Sequence, residues 1–107
     1  MKQPEAKYKI AEIQFASKAY KQSNETLFSL IKDYQAYTLW VGKAYLLIAD
    51  NSVALDNAFQ AKATLKSLIE KFPLESIKEE ARVKLKAIEQ SESIKENIEK
   101  DSVGNNK

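Results

Sequence analysis

The chain of 107 residues contains neither cysteine nor histidine. The first absence excludes disulfides and thiolate metal sites and leaves the redox compartment unread. The second removes the usual general base and the commonest metal ligand. Glycine and proline number only two each, which favours helix, and the second glycine, Gly104, is the fourth residue from the end, so no glycine-rich phosphate loop exists. Seventeen basic residues against fifteen acidic ones leave a net charge of +2. The two signs are interspersed, which describes solvated helix faces better than a nucleic-acid-binding stripe. No run approaches the ~20 apolar residues of a membrane span; the longest is Ala44–Ala49. The opening MKQPEAKYK lacks the apolar core of a secretory leader. Glu79 and Glu80, adjacent on a helix, diverge by about 100° and make no catalytic carboxylate pair. The expectation is a chain that is not an enzyme and holds no cofactor and no metal.

What is present is a repeat. Residues 6–35 laid over 44–73 give identities at Ala6/Ala44, Ile10/Ile48, Ala11/Ala49, Ala16/Ala54, Gln22/Gln60, Thr26/Thr64, Leu27/Leu65, Ser29/Ser67, Leu30/Leu68 and Ile31/Ile69. Glu12/Asp50, Phe15/Val53 and Tyr34/Phe72 are conservative changes in the same register. A fixed period of this size marks a helical-repeat architecture. Such units bury their apolar faces by stacking, and the stack presents an extended concave surface.

Apolar spacing and caps predict five helices, at about 5–21, 24–35, 38–55, 58–72 and 77–97. Ser23 or Asn24 is the expected N-cap of the second, and Ser76 with Glu79 forms a capping box for the fifth. Asp56-Asn57 ends the third helix and opens the fourth, and Pro73 stops the fourth. Leu65, Leu68 and Ile48 are expected core residues. Carrying the register forward puts Arg82 and Lys86 where Ala44 and Ile48 stand, so the third unit reads as a solubilising cap rather than a copy. The folded domain is expected over 1–90, with the capping helix reaching 97 and a disordered tail over 98–107.

Ile48-Ala49, then Ala61, Leu65, Leu68, Ile69 and Pro73, resemble the tetratricopeptide repeat, with Ile10-Ala11, Ser23, Leu27, Leu30, Ile31 and Gln35 as a weaker first copy. Three features depart from that family. Gln14 and Ser52 replace its first-helix aromatic, Lys18 and Asp56 replace its turn glycine, and the period is longer by about one helical turn, placed around Tyr37–Val41. The stretch TLWVGKAYLLIADNSVALDNAFQAKATLKSLIEKFP is similar to the C-terminal repeats of long tetratricopeptide proteins of Bacteroidetes-type bacteria. The resemblance implies an all-α, right-handed solenoid of antiparallel helix-turn-helix repeats, two helix pairs plus a C-terminal capping helix, acting as a protein-binding scaffold. It also implies a cell-envelope or periplasmic setting if the chain is part of such a protein; otherwise the cytoplasm is the expectation.

The family's groove is lined by the first helix of each pair. Carried onto this register, the lining positions are Tyr8, Glu12 and Phe15, then Lys43, Leu46, Asp50 and Val53. Phe15, Leu46 and Val53 are open to a second assignment as core. Members that clamp a C-terminal carboxylate use Lys and Asn where this chain has Tyr8 and Glu12, so no carboxylate-clamp peptide is expected. Glu12 and Asp50 favour a basic or apolar protein segment. Tyr37, Trp40 and Tyr45 form an aromatic group on the third helix, either core or an interface with another domain or a second copy. A nucleic-acid-associated helical protein is the alternative, resting on the pI of about 8.7.

Overall fold

The computed structural model describes residues 3–105, with side chains described for 3–99. It contains α1 (Pro4–Ala16), α2 (Tyr20–Asp33), α3 (Thr38–Ala54), α4 (Ala58–Lys71) and α5 (Glu75–Asn105), and no strand among the described residues. Connections of three or four residues fold each helix back against its predecessor. α1 and α5 each also pack on α3. The all-helical, paired architecture is as the sequence predicts.

The repeat survives at the level of single hydrogen bonds. Where α1 ends, Lys18 N–H donates to the Phe15 carbonyl at 3.0 Å and Ala19 N–H to Gln14 at 2.8 Å. Thirty-eight residues later Asp56 donates to Val53 at 3.0 Å and Asn57 to Ser52 at 2.8 Å. This is the Schellman end, which needs a left-handed residue at its turn. Lys18 and Asp56 supply it at φ 65° and 61°. Both therefore adopt the conformation that glycine would occupy without strain.

These turns move two predicted boundaries. α1 stops at Ala16, not near 21, and α2 starts at Tyr20, not Asn24, because the left-handed residue breaks the helix earlier than apolar spacing indicates. Ser23 is accordingly no N-cap. It is fully buried inside α2, and its hydroxyl donates to the Ala11 carbonyl at 2.9 Å. Ser76 lies within the first turn of α5 rather than capping it, and Lys78 N–H bonds to the Leu74 carbonyl. Asn57 caps α4 as expected, its side chain accepting from Gln60 N–H. α5 continues through Asn105, past the expected end at 97. Lys95 is spaced to pair with Glu92 and Glu99, and no proline intervenes. Of the predicted tail, residues 106 and 107 lie outside the described residues.

Two apolar clusters form the core. Ala11, Leu27, Leu30, Ala44, Leu47 and Ile48 join α1, α2 and α3. Leu46, Ala49, Ala61, Leu65, Leu68, Ile77 and Ala81 join α3, α4 and α5. The second cluster corrects the view of the third unit as no copy. Ala81 and Leu85 take the places of Ala44 and Ile48 once the register is shortened to thirty-seven. The connection from α4 to α5 is one residue shorter than that from α2 to α3 (72–74 against 34–37), and the shortening swings Arg82 and Lys86 outward. Gly42 sits where the second cluster presses on α3. A Cβ there would lie 2.7 Å from Ile77 Cγ1 and 2.8 Å from the Phe72 ring, so glycine is what lets that corner close.

The joints differ in one respect. Between α2 and α3 the fully buried Asn51 donates through Nδ2 to Ser23 Oγ at 3.0 Å and to Asn24 Oδ1 at 2.9 Å. Its Oδ1 is buried without a partner. The matching positions between α4 and α5 are Ala61 and Ile88, both apolar.

Candidate functional site

Among the described residues α1 and α5 each contact α3 but not each other. The face of α3 between α1 and α5 is the candidate groove. Tyr8 and Glu12 come from α1, Trp40, Lys43 and Asp50 from α3, and Glu80 and Lys84 from α5.

The floor is aromatic. Tyr8 and Trp40 pack with ring centroids 5.7 Å apart at 57°, and Lys43 Nζ stands 4.9 Å from the centre of the Trp40 ring, within cation–π range. Burial, followed by the charges of Glu12, Asp50 and Glu80, pushes the Tyr8 phenol from 10.0 up to about 12. The three carboxylates thus act on one point although they belong to three helices. Lys84 answers one of them, its Nζ lying 3.1 and 3.0 Å from the two oxygens of Asp50. Glu12 and Glu80 are exposed. Three acids against Lys43 and Lys84 leave the groove with an excess of one negative charge.

A raised phenol pKa means the folded chain holds the Tyr8 proton more tightly than the unfolded one. That stabilisation is complete below pH 10 and is lost as pH rises through about 12. In a phenolate absorbance titration, Tyr8→Phe should delete an ionisation step near pH 12. A variant that keeps that step would contradict the electrostatics described.

The lining residues expected from the repeat register divide. Tyr8, Glu12, Lys43 and Asp50 come together. Leu46 is buried in the second cluster and is core, because that side of α3 is covered by α4 and α5. Phe15 is half-buried, packs against the first cluster, and meets the Tyr20 ring at 5.5 Å. Val53 is exposed at the far end of α3, on a separate cleft of about 810 Å³ between the start of α4 and the distal part of α5. Asp50 is not a free acid, since Lys84 holds it.

Tyr37, Trp40 and Tyr45 form no single group. On a helix Trp40 and Tyr45 point about 140° apart. Trp40 meets Tyr8, Tyr37 meets Tyr34 at 5.7 Å, and Tyr45 packs against both core clusters. Tyr45 also floors an outer cleft of about 390 Å³ against Thr64 and Ser67 of α4 and Phe72 just past its end. Sequence reasoning missed Glu80 and Lys84. The thirty-seven-residue register of α5 sets Glu80 at the position of Lys43, whereas Lys84 is found only through its contact with Asp50.

No three side chains among the described residues converge in a way that could hold a metal ion, and no described helix is long and apolar enough to cross a membrane. In comparisons with known proteins the chain matches no protein family, no curated protein and no solved structure.

Proposed function

We propose that the chain is a protein-interaction module, a tetratricopeptide-like scaffold that receives an extended or helical partner segment in the groove between α1 and α5. The observation that carries this is the groove itself: an aromatic floor of Tyr8 and Trp40, framed by the exposed carboxylates of Glu12 and Glu80. Apolar floor plus negative rim suits a segment that alternates basic and apolar side chains. A preformed groove on rigid helices lowers the ordering cost of binding such a segment. The excess of acid repels phosphate backbones, which weighs against the nucleic-acid alternative. The resemblance to envelope-associated repeat proteins supports a partner from that setting.

The test uses peptides of equal hydrophobicity and opposite charge. Cationic peptides should bind and anionic ones should not. Glu12→Lys combined with Glu80→Lys should weaken cationic binding by about tenfold at low salt, where screening is least, and by less at high salt. Both side chains are exposed, so helicity and melting should stay nearly unchanged. Asp50 is excluded from the test because its replacement by lysine would oppose Lys84. Binding that ignores peptide charge would remove the assignment.

A further inference from the structure

The repeat supplies an internal template for a surface that the groove does not use. In α3, Ala44 and Ile48 are 0% and 5% exposed, covered by α2. Their counterparts thirty-eight residues earlier are Ala6 and Ile10 on α1, the same residue types at the same spacing. Yet Ile10 is 51% exposed and Ile13, the counterpart of Asn51, is 65% exposed. Among the described residues nothing lies against this side of α1. It carries the side chains of a covered face without the cover, and the chain itself shows what covers that face elsewhere: an amphipathic helix with the pattern of α2.

We infer that the Ala6–Ile10–Ile13 face of α1 is a docking surface for an amphipathic helix supplied in trans, patterned like α2 and continuing the helix stack beyond α1. One difference sharpens the partner's chemistry. Lys9 stands where α3 has the buried Leu47, so the incoming helix carries a carboxylate at that crossing. The inference is independent of the groove, since Ile10 and Glu12 lie about 200° apart around α1.

The probe is a labelled peptide of this chain's own α2, residues 19–35, titrated into the intact chain. Saturable binding is expected, with the dissociation constant raised at least about tenfold by Ile10→Asp or Ile13→Asp, while both variants melt like the parent. Glu12→Lys in the groove should leave this binding unchanged, so failure here and failure of the groove proposal are told apart. Absence of binding up to about a millimolar of peptide would overturn the inference. Binding that ignores both isoleucine changes would also overturn it, since the peptide would then be exchanging with the internal α2. Ile10-dependent self-association of the chain in sedimentation, unaffected by competing α2 peptide, would also overturn it, since the face would then pair with its own copy rather than with a helix patterned like α2.

Discussion

Leu68→Ala should destabilise the chain by about 2–5 kcal/mol in a urea titration, the cost of removing a large buried side chain. Leu68 is 5% exposed and belongs to the cluster between α3, α4 and α5. Its repeat twin, Leu30, is fully buried in the other cluster. The pair allows a sharper expectation than either alone. Leu68 borders the outer cleft of about 390 Å³, where neighbours have room to relax, whereas Leu30 is among the most enclosed side chains of the molecule. Leu30→Ala should therefore fall toward the upper end of that range and Leu68→Ala toward the lower. A loss under about 0.5 kcal/mol at either position would mean that the clusters are not the core.

Asn51→Asp should be as damaging, with a different signature. Asn51 is fully buried and donates to Ser23 and Asn24. A carboxylate in its place loses both donations and faces the Asn24 oxygen. Burial raises its pKa above the unfolded value of about 3.9. The variant is thus least impaired below about pH 4, where both states are protonated, and loses stability as pH climbs through the folded-state pKa. At neutral pH the loss should reach about 3–5 kcal/mol, the range for an uncompensated buried charge. Denaturant titrations at acidic and neutral pH check this, and a loss independent of pH would contradict it. Asn51→Leu combined with Ser23→Ala should cost much less, since the two buried groups become apolar together, as Ala61 and Ile88 already are, and the half-buried Asn24 can turn to water.

Much of the fold was legible because periodicity reports burial directly. The helix spacing of Leu27, Leu30 and Ile31, repeated at Leu65, Leu68 and Ile69, identifies both core clusters. Less legible were features decided by backbone conformation or by pairing between distant helices. Lys18 and Asp56 occupy left-handed turns that favour glycine, so residue preference gave no warning that α1 ends at Ala16. The register of α5 depends on a connection one residue shorter, which no local pattern reveals. The groove was half legible. The recurrence of Glu12 and Asp50 brought two acids to one surface, but the partner of Asp50 lies thirty-four residues away on a helix whose register had shifted. Leu46 and the three aromatics show the opposite limit. Composition marks a side chain as suited to an interface, and only the direction in which it leaves the helix separates core from groove.

A chain built from near-copies has a hazard of its own during folding: α2 and α4 present such similar faces that either could settle in the other's seat. The Ser23–Asn51 relay makes the two seats unequal. If α4 took the place of α2, Ala61 would meet Asn51 and leave its amide without an acceptor. If α2 took the place of α4, Ser23 would lie against Ile88 and its hydroxyl oxygen would lose the amide that donates to it. Each exchange strands a buried polar group at a cost of about 1–3 kcal/mol. One hydrogen-bonded joint beside one greasy joint thus works as a key, which lets a sequence repeat itself and still fold in a single order.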